Sequence, residues 1–526
     1  MTFRVLVSDK LAKEGLEIFN NAPGIKVDDK AGIAKEDLLK IIGEYDALVI
    51  RSATKANAEI IAAGKSLKVI GRAGIGVDNV DLGAATRAGI VVMNTPDGNA
   101  TTAAEHTIAL MMSMARKIPQ ATASMKAGMW EKKKFMGNEL CNKTFGVIGL
   151  GNIGRIVADR AVGLKMRVIA HDPFFDADAA AKLNVELVSL DDLVERADII
   201  TVHTPLTNAT RGLISVKQIE HMKPGVLLVN CARGGIMDEA ALLEGLNSGK
   251  IASLALDVFS KEPVAANDPL VMHEKVICTP HLGASTMEAQ VQVAIDIANQ
   301  IIAFARGEPA KNAVNLPTAS PSELQQLGPY VDLARRLGSF CAQLINGQLK
   351  KVEVQYWGEV TEHPLTAISQ GALAGVLTGA IEGVVNAVNA RVLAQERGIE
   401  LVENTTAKPV SAHDTGICIT VSGAQTHTAA GILIGGQLPR IVSLDGVAID
   451  AALDGHILVI RNVDKPGMIG QIGTVLGQGG INITNMQMGR DREASEHLAL
   501  INVEEPAAID ALAKIGGVRF AQQVTL

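Results

Sequence analysis

The run Gly149-Leu150-Gly151-Asn152-Ile153-Gly154 sets three glycines at the spacing G-x-G-x-x-G, between a β-type segment (Gly146 to Ile148) and a helical pattern continuing through Leu164. Alone, that spacing often marks only a tight turn. Here the next β-type segment, Arg167 to His171, runs into Asp172, 18 residues beyond the third glycine, close to the ~20 at which an acidic residue meets a ribose in dinucleotide-binding folds. Glycines at 149, 151 and 154 let backbone approach a pyrophosphate, and the first N–H groups and dipole of the following helix favour its charge. A carboxylate at Asp172 accepts hydrogen bonds from ribose hydroxyls and repels a 2′-phosphate, so NAD is expected rather than NADP. The chemistry indicated is hydride transfer.

Three polar residues stand at the ends of other apolar runs. Arg233 follows Leu228-Val229-Asn230-Cys231-Ala232 and precedes Gly234-Gly235; its guanidinium suits a carboxylate held by two parallel hydrogen bonds, or an ordinary surface ion pair. His281 follows the run Val276 to Cys278 and precedes Gly283-Ala284-Ser285-Thr286. By itself it reads as a structural histidine, and Glu262, in Asp257-Val258-Phe259-Ser260-Lys261-Glu262-Pro263, as a solvated loop carboxylate. Cys231 has no companion base and reads as a small buried thiol rather than a nucleophile.

These residues need strand ends to hold them in place. Up to about residue 305, short β-branched runs alternate with helical patterns of 10–15 residues, the signature of parallel sheets with crossover helices. One unit has strands expected at Arg4 to Ser8, Ala47 to Arg51, Lys68 to Arg72 and Val91 to Asn94. A second begins at Thr144 and continues through Arg167 to His171, Ile199 to His203, Val226 to Asn230, Ser253 to Val258 and Val276 to Thr279. Helical patterns from about Asn99 to Arg116 and from Ser285 to Arg306 flank the second unit. If the latter helix returns to the first unit, a cleft forms between the two, with ligands at the strand carboxyl ends.

A linker is expected at Leu316 to Pro321, where both periodicities lapse. Beyond it come helical patterns at Tyr330 to Leu344 and Ala372 to Ala394 and β-type segments near Ile417 to Val421 and Ile432 to Ile434. From His456 the order is strand (to Arg461), helix (Met468 to Gly477), strand (Ile481 to Met488), strand (Leu498 to Val503) and helix (Ala507 to Ile515), a ferredoxin-like arrangement. The fold class expected is therefore α/β: two doubly wound parallel-sheet domains, a flavodoxin-like one and a Rossmann one, then a mixed α/β domain and a ferredoxin-like domain. Domain limits are drawn at 1–98 with 287–316, 99–286, 317–452 and 453–526.

Composition excludes other classes. The 526 residues are 48% hydrophobic and 20% charged, with a formal net charge of −7; this is globular, and without a long basic run it offers no surface for nucleic acid. The first residues lack the charged start and apolar core of a signal peptide. The most membrane-like window, Gly371 to Ala394, contains Glu382, Asn386, Asn389 and Arg391, which suits a packed helix better than a span. Five scattered cysteines with no C-x-x-C pair indicate neither disulfides nor zinc, and a reducing cytoplasm is expected.

Taken in order, Gly71-Arg72-Ala73-Gly74-Ile75-Gly76-Val77-Asp78-Asn79, Ala104-Glu105-His106-Thr107, Gly149 to Gly154, His203-Thr204-Pro205-Leu206, Asn230 to Gly235, Asp257 to Pro263 and Pro280-His281-Leu282-Gly283 resemble the D-isomer-specific 2-hydroxyacid dehydrogenases. The resemblance covers roughly residues 1–315, and the continuation to a terminal ACT domain is similar to the family's long-chain branch. That branch implies NAD-dependent oxidation of 3-phospho-D-glycerate to 3-phosphooxypyruvate, the first step of phosphorylated L-serine biosynthesis. Rival readings are a reductase of glyoxylate, hydroxypyruvate or D-lactate, and a non-catalytic NAD-sensing protein of the same fold.

By resemblance, Arg233 binds the α-carboxylate and polarises the C2 oxygen, His281 exchanges the C2 hydroxyl proton, and Glu262 hydrogen-bonds the imidazole. A carboxylate there stabilises the imidazolium that forms as the proton is taken. Cofactor contacts implied are Gly149, Gly151, Asn152, Ile153 and Gly154 at the pyrophosphate, Asp172 at the ribose, and Thr204, Cys231, Ala232, Asp257 and Ala284 around the nicotinamide half, with Asp257 orienting the carboxamide. Arg51, Arg72 and an N–H nest at Gly74 to Gly76 are expected to hold the substrate phosphate, with charge added by the lysine run that begins at Lys132 or that run simply solvated. Asn462, Asp464 and Asn482 resemble the amino-acid-binding edge of an ACT domain, implying L-serine as effector. No metal is expected. The family's subunits pair through their cofactor domains, so a homo-oligomer, dimer or tetramer, is expected.

Overall fold

The computed structural model describes residues 2–316, 321–381, 384–491, 495–507 and 509–526. Strands such as Val226–Asn230, VLLVN with every residue buried, lack polar alternation because helices cover both faces of a parallel sheet. The first sheet has the order Ile25–Asp29, Phe3–Val7, Ala47–Ile50, Val69–Arg72, Val91–Met93, parallel throughout. The second has seven parallel strands in the order Val276–Cys278, Ile251–Leu256, Val226–Asn230, Ile199–Val202, Thr144–Ile148, Arg167–His171, Val185–Leu187. Strand order reverses beside Thr144–Ile148, so the crevice for a ligand opens at the carboxyl ends of that strand and Ile199–Val202.

Two segments join these bodies. Helix Ala100–Ala115 leads into the second sheet, and helix Met287–Ala305, capped by the Thr286 hydroxyl accepting from Ala289 N–H, leads back. The apolar stripe of that returning helix (Val293, Ala294, Ile297, Ala298, Ile301) shares a core with Val5, Val7 and Val49 of the first sheet, as its i, i+4 spacing requires.

The third sheet is mixed, in the order Glu400–Thr405, Lys351–Trp357, Gly416–Ser422, Thr426–Ile434, Leu438–Leu444, Val447–Ala452, with only its first pair parallel. The helix expected over 372–394 is two helices, Thr366–Leu377 and Ala390–Glu396. Between them Thr378 bridges Ile381 and Gly379 takes a positive φ, and the asparagines turn outward to another body. Asn386 Nδ2 donates to the Gly89 carbonyl at 2.7 Å and Asn389 Nδ2 to that of Arg87 at 3.3 Å. A tertiary contact thus overrides helical periodicity. Of the expected linker, residues 317–320 lie outside the described residues, as do 382–383; helix Pro321–Gln343 begins before the expected Tyr330 and contains Pro329.

The terminal sheet, Ile483–Asp491, Glu496–Val503, His456–Val463, Val518–Thr525, carries helices Met468–Gln478 and Ile509–Ala513 on one face. Its other face is not free: Val459, Leu498 and Leu500 share one core with Leu333 and Leu337 of the preceding domain. The strand expected from Ile481 starts at Ile483, which leaves Asn482 exposed in the turn. Strands at Ile25–Asp29, Lys351–Trp357, Glu400–Thr405, Leu438–Leu444, Val447–Ala452 and Val518–Thr525 went unpredicted. Among the described residues no helix is long and apolar enough to cross a membrane, and no cluster of His, Cys, Asp or Glu is disposed to hold a metal.

Candidate active site

Strand Ile251–Leu256 delivers Asp257 and the loop to Pro263, and strand Val276–Cys278 delivers the loop that carries His281. The two loops meet with His281 Nδ1 at 2.7 Å from Glu262 Oε2. With a carboxylate as acceptor, Nδ1 bears the proton and Nε2 is left to face a substrate. The Glu262 hydrogen bond raises the His281 pKa above its ordinary value against the opposing effect of burial. Burial by itself raises Glu262, but hydrogen bonds from His281 and the Phe259 N–H outweigh it and hold that carboxyl below its usual range.

Asp257, expected to orient the nicotinamide carboxamide, is also tied to the loop that carries His281. Its fully buried carboxylate accepts from the Thr279 hydroxyl (2.6 Å), the N–H groups of Leu282 (2.7 Å) and Gly283 (2.9 Å), and His106 Nε2 (3.2 Å). Its carbonyl accepts from His281 N–H at 2.9 Å. A carboxylate out of water needs several donors, and the nearest belong to the His281 loop. Asp257 therefore holds the backbone of that loop, with His281 at φ 54°. His106 belongs to the motif Ala104-Glu105-His106-Thr107, and nothing in its spacing points to Asp257.

Arginines gather across the cleft. Arg233 Nε donates to Asp78 Oδ2 at 2.7 Å and its Nη1 to the Ala232 carbonyl at 2.6 Å. Arg72 is half-buried, with its Nε buried and unpartnered and its Nη1 donating to the Ala73 carbonyl at 3.4 Å, and burial, reinforced by the charges of Arg233 and Arg51, lowers its pKa to about 10, so it stays protonated at neutral pH. Arg51, whose Nη1 reaches the Lys10 carbonyl at 3.1 Å, is also lowered by burial. Mutually repelling guanidiniums form a place for a polyanion. The glycine loop lets them in: a Cβ on Gly74 would lie 1.6 Å from Arg72 Nη1, and one on Gly76 1.7 Å from Arg233 Nη2. Lys132 is exposed and joined to none of these arginines by a hydrogen bond or ion pair among the described residues; its neighbour Lys134 pairs with Glu131.

The glycine-rich loop ends strand Thr144–Ile148 and opens helix Asn152–Gly163. A Cβ on Gly154 would stand 1.9 Å from the Gly149 carbonyl oxygen, so this tight approach requires glycine. Asp172 accepts from Leu150 N–H at 2.8 Å through one oxygen and from Phe174 N–H at 2.9 Å through the other, which fixes the carboxylate against the loop. The Asn152 side chain is spent on Asp97 (2.8 Å) and Arg155 (2.9 Å), so what it and Ile153 offer an anion is helix-start backbone N–H. Thr204 Oγ1 is buried with no partner among the described residues. Cys231 is buried, and burial pushes its thiol up to about 12, an inert group. Ala232 is buried behind it, and the Ala284 carbonyl accepts from Gln290. The glycine cradle, the positioned Asp172 and the unpartnered Thr204 hydroxyl suit a dinucleotide.

At the terminal domain the three expected effector residues do not converge. Asn462 is fully buried, its Nδ2 donating to the Val463 carbonyl at 2.9 Å, and Asp464 pairs with Arg490 at 2.6 Å and His497 at 3.5 Å. The pairings Asn462↔His497 and Ile483↔Val503 put Asp464 and Asn482 at opposite ends of the sheet, about 20 Å apart at ~3.3 Å per residue. The crossover helix Met468–Gln478 imposes this, since it carries the chain back before the next parallel strand begins.

The chain matches the family models "D-isomer specific 2-hydroxyacid dehydrogenase, NAD binding domain" over residues 108–283, "D-3-phosphoglycerate dehydrogenase intervening domain" over 326–445 and "ACT domain" over 456–519. It is 41% identical to D-3-phosphoglycerate dehydrogenase of Archaeoglobus fulgidus over 99% of this chain and 100% of that one, and 41% identical to that of Bacillus subtilis over 95% of each. Among solved structures it is similar to the TT0316 protein of Thermus thermophilus (32% identity, TM-score 0.55, 59% of this chain and all of that one) and to a glyoxylate reductase of Paecilomyes thermophila (30%, TM-score 0.55, 60% and 98%).

Proposed function

The chain is a member of the D-3-phosphoglycerate dehydrogenase family, and on that premise we propose how its residues divide the NAD-dependent oxidation of 3-phospho-D-glycerate to 3-phosphooxypyruvate. The reading is carried by the 2.7 Å Glu262–His281 contact beside the cluster of Arg51, Arg72 and Arg233. Arg233 holds the α-carboxylate and polarises the C2 oxygen. His281 Nε2 takes the C2 hydroxyl proton, and Glu262 stabilises the imidazolium. NAD, when bound, accepts the C2 hydride. Arg72 and Arg51 hold the phosphate. The test is NADH consumption with 3-phosphooxypyruvate, read against unphosphorylated 2-oxo acids.

Asp172 supplies the nucleotide preference. Replacing it by alanine removes a hydrogen-bond acceptor and a repelling charge together, so NAD should weaken by roughly tenfold or more while NADP gains relative to it. Coenzyme titrations by fluorescence measure both; an unchanged preference would take the ribose from Asp172.

The ACT domain supports an amino-acid effector, and we take L-serine as that effector and feedback inhibition as its effect. Asp464 and Asn482 can share one serine only if two chains contribute them, so this reading carries an assembly with it. Exposed Met112, Ile118, Met125, Met129, Trp130 and Met136 gather in the 112–136 stretch that begins the cofactor domain, and support pairing there as well. Contacts tie the bodies together: Arg461 pairs with Asp445 at 3.0 Å between the terminal and intervening sheets, and Asn386 and Asn389 donate to the Gly89 and Arg87 carbonyls at the end of helix Leu82–Arg87. Millimolar serine should inhibit wild type, and Asn482→Ala should relieve it. Insensitive wild type removes the regulatory reading, and equal inhibition of Asn482→Ala moves the site elsewhere.

A further inference from the structure

We infer that His106 is a positioning residue for the proton-transfer histidine, acting through the buried carboxylate of Asp257; this rests on the reading of His281 as the group that exchanges the substrate proton. His106 sits on helix Ala100–Ala115, and among the described residues no hydrogen bond or ion pair joins it to His281 or Glu262. Its Nε2 lies 3.0 Å from Thr279 Oγ1 and 3.2 Å from Asp257 Oδ1. The Thr279 hydroxyl already gives its proton to Asp257 at 2.6 Å. The remaining arrangement is His106 as donor from Nε2–H, shared between the carboxylate and the threonine oxygen. His106 is thereby the side chain from outside the 279–283 loop that donates to Asp257, while the other donors, Thr279, Leu282 and Gly283, belong to the loop itself.

The consequence is mechanical and electrostatic. The loop is short, and His281 stands at a positive φ within it, a conformation a non-glycine residue keeps only when its surroundings fix it. Asp257 does that fixing, and helix Ala100–Ala115 anchors Asp257 through His106. Removing the donor leaves a buried carboxylate short of a hydrogen bond, which strengthens the negative field that Asp257 already exerts on His281. The titratable and charged groups facing this cluster are Asp257, Cys231 from the end of strand Val226–Asn230, and, through the loop, His281 with Glu262 and Arg233. A more negative Asp257 favours the imidazolium, so the His281 pKa moves up. Oxidation needs neutral His281, and its acid limb moves up with it.

The experiment compares His106→Leu, His106→Gln and His281→Asn as full-length enzyme, measuring kcat and KM against pH in the oxidation direction, with NADH binding and thermal midpoint alongside. Glutamine places an N–H near the position of Nε2. We expect His106→Leu to lose roughly tenfold in kcat, since small displacements of a reacting group are costly, with its acid limb raised by about half a unit. NADH affinity stays within twofold, and His106→Gln recovers most of both effects. An unshifted limb in His106→Leu, or a glutamine variant no better than leucine, overturns the role of His106 even where stability falls. If His281→Asn itself retains turnover, the underlying assignment fails first, and the two failures are told apart.

Discussion

Replacing His281 by asparagine lowers turnover by roughly 10²–10⁴-fold, the usual contribution of a positioned acid–base group, while NADH affinity stays within about twofold. The geometry separates the two quantities. His281 lies on the loop after strand Val276–Cys278 and is tied to Glu262 at 2.7 Å, whereas the glycine cradle and Asp172 lie at the ends of Thr144–Ile148 and Arg167–His171. Among the described residues His281 is the titratable group hydrogen-bonded to Glu262. Glu262 also raises the His281 pKa, and the sign of that shift is testable. Oxidation requires neutral histidine and so falls as pH drops through the raised value; reduction requires imidazolium and falls as pH rises through it. Glu262→Gln removes the carboxylate, and both limbs move to lower pH. Lost cofactor affinity with retained turnover would remove His281 from the chemistry.

Replacing Arg72 by alanine raises KM for 3-phosphooxypyruvate by about 10²-fold or more, as expected when one partner of a desolvated charge pair with phosphate is lost. Hydroxypyruvate, which lacks the phosphate, changes only a few-fold. Arg72 is the more informative of the phosphate arginines because its Nε is buried and unpartnered, its Nη1 reaches the Ala73 carbonyl only at 3.4 Å, and two like charges already act on it. An incoming dianion relieves that repulsion, and a neutral hydroxyl does not. Arg51→Ala, whose guanidinium already has the Lys10 carbonyl, shows the same selectivity with a smaller effect. Equal loss with both substrates would assign Arg72 a structural part only.

The parallel-sheet architecture was legible from residue order alone, whereas the roles given to Glu262 and His281 came from the family resemblance. Parallel strands read as continuous apolar runs, and the polar residues at their ends fell where a doubly wound sheet collects ligands; Glu262 and His281, 19 residues apart in sequence, meet because adjacent strands Ile251–Leu256 and Val276–Cys278 deliver them. The hold of Asp257 on the His281 loop was not legible, because a sequence shows an acidic residue at a strand end but not the N–H groups of Leu282 and Gly283 folding back onto it. Asp464 and Asn482 were grouped by resemblance to an ACT-domain edge, and within one chain the crossover helix Met468–Gln478 sets them at opposite ends of the sheet. The helix expected through residue 394 stops at Leu377 and resumes at Ala390, and between them Asn386 and Asn389 find partners in another domain. Strand Glu400–Thr405 is largely exposed and charged, so no apolar pattern announced it. Lys351–Trp357 did alternate buried and half-buried residues, a period-two signal that was present and overlooked.

The most direct measurement is the initial rate of NADH oxidation at 340 nm with 3-phosphooxypyruvate, hydroxypyruvate, glyoxylate and pyruvate in parallel. The kcat/KM for 3-phosphooxypyruvate is expected at least ~10²-fold above each of the others, since only that substrate engages the phosphate arginines as well as Arg233. A flat profile, a preference for glyoxylate or pyruvate, or no oxidation with any of the four would contradict it.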